Sequence, residues 1–412
     1  MRVNDRVSTE LTVMPHHDLP PEMLDFVVDH LHNNTETLKQ CCLVSKSWVP
    51  RTRKHLFAFI VFLTEDEIKA WKKAFPDPYN SPAYYTRGLV IRCPGAITTA
   101  DGAEGGWIPA FSRLVRLEVV ESPSSNRGCM NMNPAAFRKF PPTLKSLFVT
   151  SFSLPLLQVF DLIRSLPLLE DLALVGDVGN IDDDDPDGPK TVVPPSASPA
   201  LTGTLSLCLL RGAAGAAHRL MNPPNCLHFR KLQLLLRRWE DLRYIAELVT
   251  TCSGTLESLD LTCIPEGATF FSLDRSSAIP FQSTDEPAPG RIDLSKATKL
   301  QHIVLRCKPP GIRWATVTLE TITSKHKDFQ RVSFSLGSVW HDLAQANPDV
   351  GWPDLDRLLV RLLESHSIRT KLGFTEFQGR AGGAMELVVR LLPEFTKRGM
   401  IDLVEREPIS YR

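Results

Sequence analysis

The sequence predicts an α/β protein: a short N-terminal block of three helices, followed by an irregular solenoid built as a curved parallel sheet with helices outside. Three observations support this fold class. Apolar residues recur at helical spacing within residues 18–57. A short apolar template then recurs along the rest of the chain, 58–412. The 32 prolines exceed the usual share of about 5% and fall mostly between apolar runs, which favours short elements joined by turns.

Composition excludes several classes of protein. Lys plus Arg and Asp plus Glu both total 47 in 412 residues, and this balance argues against a general nucleic-acid binder or a polybasic membrane-surface protein. No run approaches the roughly 20 apolar residues of a membrane span. Met1–Glu10 has no apolar segment, so we expect no signal peptide. The nine cysteines, an odd number, then indicate reduced thiols in the cytoplasm, the nucleus or both.

The helical block is predicted from three apolar stripes and two caps. Thr35 and Ser45 are predicted to cap the second and third helices. Three short helices in about 40 residues make a marginal unit, so we expect the block to lean on a partner or on the next domain. The stripes are Leu24, Val27, Val28 and Leu31; Leu38, Cys41 and Cys42; and Trp48, Thr52 and Leu56.

The parallel sheet is predicted from the template apolar-x-x-apolar-x-apolar. Its middle residues are 30, 25, 33, 27, 27, 44 and 29 positions apart, and most of these steps lie near the roughly 20–29 residues of leucine-rich repeats. A weaker copy lies at Leu205 and Leu207. The full copies begin at Leu114, Leu144, Leu169, Phe229, Leu256, Leu300 and Phe329.

Helical stripes between the templates predict return helices. An ordinary α/β domain with coincidental spacing is the alternative, but no Gly-rich phosphate loop follows any predicted strand. Residues 352–405 are predicted to be rich in helix, with one last strand at Met400–Val404. The stripes are Leu156, Val159, Phe160 and Ile163; Leu242, Ile245, Ala246 and Val249; and Leu355, Leu358, Leu359 and Leu362.

Three segments are predicted to lack regular structure: a flexible N-terminus at 1–17, an acidic loop at about 178–199, and a loop insertion at about 265–295. Asp183, Asp185, Asp187 and Gly188 match the opening of a calcium loop. The match fails at the twelfth position, where Pro194 stands instead of Glu. We therefore predict a solvated loop and no metal site.

Residues 18–57 resemble an F-box, on Leu19-Pro20-Pro21-Glu22-Met23-Leu24, the spaced aliphatics Val28, Leu31 and Leu38, Cys42–Trp48 and Leu56-Phe57. The stretch at 30–37 is longer than usual, and Phe57 stands where Trp is frequent, as in fungal members of the family. F-boxes are often followed by degenerate leucine-rich repeats. The resemblance implies binding to a Skp-family adaptor of a cullin-based ubiquitin ligase. The implied adaptor-binding residues are Leu19, Pro20, Met23, Leu24, Val28, Leu31, Leu43, Val44 and Trp48.

The alternative is that Val28, Leu31, Leu43 and Trp48 only hold the three helices together. We expect Leu19, Pro20 and Leu24 to belong more to the interface than to the core.

A target-binding face is predicted from the alternation of side chains along strands. Residues between the template's two strand positions point away from the helices and line the concave surface. They are Glu118, Phe148, Ala173, Gln233, Asp260, Val304 and Ser333.

The sequence predicts no catalytic, cofactor-binding or metal-binding residues, because it contains no nucleophile elbow, Walker loop or His-Glu-x-x-His. The resemblance to an F-box implies the function of a non-catalytic substrate receptor of an SCF-type cullin–RING ubiquitin ligase, acting in protein ubiquitination and ubiquitin-dependent catabolism. Its predicted partners are the adaptor, the cullin ligase and an unknown protein target, without nucleic acid or membrane. The alternatives are an interaction scaffold outside the ligase and an α/β enzyme without a recognisable motif.

Overall fold

The computed structural model of the protein describes residues 20–77, 81–92, 107–121, 140–154, 156–178, 201–209, 212–221, 227–237, 241–263, 290–307, 311–336, 351–366, 368–374, 386, 388–398 and 401–405. The predictions for residues 1–17, for the acidic loop beyond residue 178 and for residues 265–289 lie outside the described residues.

Three short helices open the described chain: α1 (Pro21–His30), α2 (Thr35–Val44) and α3 (Val49–Leu56). The predicted caps are wrong by a few residues. Asn34 caps α2, since its side-chain oxygen accepts a hydrogen bond from the Thr37 N–H at 3.0 Å. Ser45 instead ends α2, and α3 begins only at Val49. Pro50 explains this late start, because proline is tolerated in the first turn of a helix and not beyond it.

The third helix connects the block to the rest of the molecule. It packs against α1, α2 and a 3₁₀ turn at Pro82–Tyr85. The block also has its own buried side chains, which are Val28, Leu38, Cys41 and Thr52. The Thr52 hydroxyl donates to the Trp48 carbonyl at 2.7 Å, so the polar group at the centre of the block has a partner.

Twelve strands of the described chain form one sheet, in which all neighbours are parallel and strand order follows chain order. The fold is therefore α/β with a parallel sheet, as the template predicts. The strands are β1 (Phe59–Phe62), β2 (Gly88–Ile91), β3 (Arg116–Val120), β4 (Ser146–Leu154), β5 (Asp171–Val178), β6 (Thr204–Leu209), β7 (Lys231–Leu236), β8 (Ser258–Cys263), β9 (His302–Cys307), β10 (Arg331–Leu336), β11 (Arg369–Phe374) and β12 (Ile401–Glu405).

The template residues form continuous apolar rows across the sheet. Leu117 of β3 pairs with Leu147 of β4, and Val119 pairs with Val149, with all four side chains buried. The same two rows continue through every copy of the template, including the weak one on β6. Each strand places two apolar side chains on the helical side of the sheet, and the pairing register aligns them from strand to strand. One apolar core therefore extends along the sheet.

Seven α-helices of the described residues follow the first block. The three predicted stripes fall on α5, α7 and α9, and their apolar residues join the core beneath the template rows, which confirms those helices. No predicted stripe corresponds to α4, α6 or α8, whereas α10 lies in the region 352–405 that is predicted to be rich in helix. The helices are α4 (Glu65–Ala74), α5 (Leu156–Arg164), α6 (Ala213–Met221), α7 (Leu242–Cys252), α8 (Gly311–Leu319), α9 (Trp352–His366) and α10 (Pro393–Lys397).

The turns entering the strands share one hydrogen-bond pattern. The N–H groups of Val115 and Arg116 both donate to the Arg87 carbonyl at 2.9 Å. The equivalent pair entering the next strand, Lys145 and Ser146, donates to the Val115 carbonyl at 2.8 and 3.0 Å. The pattern fixes where each strand begins relative to the preceding strand, and so keeps the rows of template side chains in register.

One bulge interrupts the regular pairing of β4 with β5. The register shifts between Ser151 and Leu154, opposite Gly176. Gly176 has φ +128°, and a Cβ atom there would lie 1.7 Å from the Ser151 carbonyl oxygen. Only glycine fits this position.

The C-terminal region contains a strand that the sequence analysis missed. Strand β11 pairs with β10, and Thr370 occupies the row that Val332 holds on the neighbouring strand. A polar residue in that row breaks the apolar template, so the pattern could not reveal the strand. The predicted final strand is present as β12, shifted by one residue.

Candidate functional site

The first candidate surface consists of exposed apolar side chains on α1 and α2, and a charged cluster in the same block joins α1 to α3. Arg51 of α3 donates two hydrogen bonds to Asp29 of α1, one from Nε to Oδ1 at 2.6 Å and one from Nη2 to Oδ2. His55 Nε2 lies 2.7 Å from the same Oδ1. The bidentate contact fixes both distance and orientation, so it holds α1 against α3.

The charge of Asp29 is maintained by its neighbours. The hydrogen bond from Arg51 lowers the pKa of Asp29 well below its usual range, against a smaller opposing effect of burial. The same contact raises the pKa of Arg51. Both side chains keep about a third of their surface in contact with solvent (37% and 31%), so water screens the pair and its main effect is geometric.

The first two helices also expose large apolar side chains. Met23 is 52% exposed and Phe26 60% exposed on α1, and Leu43 is 81% exposed at the end of α2. Val27 and Val44 are also exposed. Apolar side chains at this density usually mark a surface that another molecule covers.

The nine predicted adaptor-binding residues differ in their exposure. Val28 is 1% exposed and has no surface to offer a partner, so burial places it in the packing between the helices. Leu19 lies outside the described residues. Pro20, Met23, Leu43 and Val44 are exposed, whereas Leu24, Leu31 and Trp48 are half-buried.

Phe26 and Val27 are exposed apolar residues that the predicted set omitted. A signal for Phe26 was available: it lies three positions after Met23, outside the stripe of Leu24, Val28 and Leu31. An apolar residue off the packing stripe of a short helix indicates a second apolar face.

The second candidate surface is the open face of the sheet, opposite the core. The seven predicted concave-face residues occupy one row of the pairing register, from Glu118 on β3 to Ser333 on β10. Ser206 of β6 completes the row at the weak template copy. All seven are at least partly exposed, while Ser206 is 8% exposed. The alternation along the strands therefore brings these residues together on one face of the sheet.

The acidic residues of this row are paired with arginines. Arg306 of β9 donates two hydrogen bonds to Asp260 of β8, from Nε at 3.1 Å and from Nη2 at 2.8 Å. Arg116 Nη2 lies 3.4 Å from Glu118 Oε2 on the same strand. Both carboxylates therefore have a counter-charge within the face.

The described part of the chain offers no group of three His, Cys, Asp or Glu side chains that could hold a metal ion. None of its helices is long and apolar enough to cross a membrane.

Comparison with known proteins adds no family assignment: no family model matches this sequence, and no curated protein matches it.

Proposed function

We propose that this protein is the substrate-recognition subunit of an SCF-type cullin–RING ubiquitin ligase. The block α1–α3 binds the Skp-family adaptor, and the open face of the sheet holds a protein target. One observation supports the first contact most directly. Of the eleven exposed large apolar side chains among the described residues, eight lie between Met23 and Leu63, and five of those belong to α1 and α2.

The proposed mechanism is proximity. The chain itself breaks and forms no bonds. It holds the target beside the ubiquitin-carrying enzyme, which raises the effective concentration of a target lysine at that enzyme. Two separate surfaces suit this role, because adaptor and target must be bound at the same time.

Copurification tests the adaptor contact. The full chain, coexpressed with a Skp-family adaptor, should retain it. Changing Met23→Glu together with Leu43→Glu should reduce the affinity at least 100-fold, because charges on two central apolar anchors are costly to bury. Both side chains are exposed, so the fold should survive the change.

The matched control is Leu168→Glu with Val389→Glu, which alters two exposed apolar residues far along the chain from the block. This variant should keep the adaptor. If the unaltered chain fails to retain any Skp-family adaptor, the ligase proposal is wrong and the scaffold alternative takes its place.

A further inference from the structure

A row of basic side chains crosses the C-terminal half of the open face. Lys231, His302, Arg331 and Arg369 stand at the first position of β7, β9, β10 and β11, and the register joins them through Ser258 of β8. We call these four residues the basic row. Neighbouring strands are about 4.8 Å apart, so the row spans roughly 19 Å.

The basic row carries positive charge at neutral pH on Lys231, Arg331 and Arg369, and no ion pair within the described residues neutralises it. None of the four side chains has an ion-pair partner there. The nearest acidic residues along the sheet are already engaged, Asp260 with Arg306 and Glu257 with Arg230. An uncompensated row of this kind stands out in a chain whose formal net charge is zero.

His302 lies between the cationic side chains of this row. Its Nδ1 atom is buried and has no hydrogen-bond partner in the described part of the chain. Burial lowers the pKa of His302, and the charges of Arg331 and Lys231 lower it further. An anion bound beside the ring would offset that repulsion.

The surroundings of the basic row favour a protein ligand over a nucleic acid. The open-face positions of β7–β10 whose side chains are described include no Phe, Tyr or Trp on which bases could stack. Val304, half-buried, lies in the adjacent row on the strand of His302. A short apolar side chain beside cationic ones suits a peptide with mixed side chains.

We propose that the basic row binds an extended segment of a protein target that carries two or three anionic side chains, carboxylate or phosphate. The segment lies across the strands. Side chains on one face of an extended peptide recur about every 6.8 Å, so three of them cover about 14 Å and fit within the row. The inference rests on the proposed function only in taking the open face as the target-binding surface.

An array of 12-residue peptides tests the inference with the full chain. Each peptide carries Asp, Glu or phosphoserine at alternate positions, and its counterpart carries Asn, Gln or Ser. The anionic peptides should bind more tightly than their counterparts, with an affinity that falls as salt rises. Comparing the carboxylate and phosphoserine sets identifies which anion the row prefers.

Variants then locate the binding. Lys231→Gln with Arg331→Gln should weaken the best anionic peptide about tenfold or more, whereas Lys231→Arg with Arg331→Lys should retain most of the affinity. The control is Arg313→Gln with Arg361→Gln, which removes two exposed charges from α8 and α9, on the helical side of the sheet. This control should leave peptide binding unchanged.

Three outcomes would overturn the inference. The first is equal binding of anionic and neutral peptides, or binding that the Lys231/Arg331 variant leaves intact. The second is tighter binding of a ten-nucleotide single-stranded DNA that the same variant abolishes. The third is peptide binding that is observed only after Asp182–Asp185 and Asp187 are changed to Asn. That result would mean that the basic row binds these acidic residues of the same chain and not a target. Adaptor copurification with the same variants separates failure of this inference from failure of the proposed function.

Discussion

Individual polar side chains determine how the elements of this molecule meet. Asp29 accepts two hydrogen bonds from Arg51 and so fixes α1 on α3. Asp356, 3% exposed on α9, accepts the N–H groups of Glu394 at 3.0 Å and Phe395 at 2.9 Å, at the start of α10. In each case one carboxylate on the first helix accepts two hydrogen bonds from a second helix. The donors are guanidinium N–H groups in α3 and backbone N–H groups in the first turn of α10.

Two histidines make stability depend on pH. Burial is the largest cause that lowers the pKa of His302 and of His366, with Arg331 and His326 as the first charged contributors, respectively. A lowered pKa in the folded state means that the unfolded chain binds protons more readily below about pH 6.5. Above that pH the histidines are neutral in both states, so their protonation does not affect the free energy of unfolding. As the pH falls through that value, protons bind preferentially to the unfolded chain and the free energy of unfolding decreases.

We therefore expect the urea midpoint to decrease between about pH 7.5 and about pH 5, and to decrease less in His302→Gln with His366→Gln. Urea titrations at a series of pH values measure this. The control His32→Gln changes an exposed histidine and should leave the slope as it is. A slope that the double variant does not alter would show that other groups determine the pH dependence.

At the scale of elements, two glycines allow close approaches between neighbouring strands. At Gly203, a Cβ atom would lie 2.2 Å from the Asp171 carboxylate oxygen, which accepts the Thr204 N–H at 2.6 Å. That carboxylate joins β5 to β6 where the template is weakest. Gly176 instead makes room for the Ser151 backbone carbonyl at the bulge between β4 and β5.

Gly176→Ala should destabilise the protein by roughly 3 kcal/mol, because the new methyl group meets the Ser151 carbonyl and φ is unfavourable for alanine. Chemical denaturation measures the loss. Gly254→Ala is the matched control: nothing lies within 4 Å of its added Cβ, and φ is not in the left-handed region. We expect that change to be neutral or slightly stabilising, and equal losses in the two variants would refute the steric explanation.

The sequence could predict the elements whose residues follow a period and little else at this scale. Two apolar positions per strand identified β3–β10 and placed Glu118, Phe148 and Asp260 in one row. Strand β11 stayed hidden because Thr370 breaks that period. The basic row was missed for a different reason: its successive members are 29 to 71 positions apart in the chain, and only the pairing register brings them together. Exposure of Phe26 likewise depends on which face of α1 packs against α3.

At the scale of the whole molecule, each strand pairs only with those before and after it in the chain. Stability in such an arrangement is approximately a sum over neighbouring units. A destabilising substitution in the middle of the sheet should therefore increase unfolding of the neighbouring strands more than unfolding of distant ones.

Leu232→Ala, at a residue 1% exposed on β7, should cost about 3 kcal/mol. Amide hydrogen exchange should accelerate most in β6–β8 and least in β2 and β12. Leu168→Ala, at an exposed residue, serves as the control and should change neither exchange nor stability appreciably. Uniform acceleration across all strands would indicate that the sheet unfolds as one cooperative unit instead.

The strict agreement between strand order and chain order also bears on biosynthesis. A nascent segment that leaves the ribosome finds its pairing partner already outside the exit tunnel, and it never waits for residues still to be translated. The molecule can thus grow vectorially, each new strand docking on a finished edge. Apart from the outer edge of β1, which has no strand partner among the described residues, only the newest edge is open to wrong partners at any moment, and this limits misassembly of the parallel sheet.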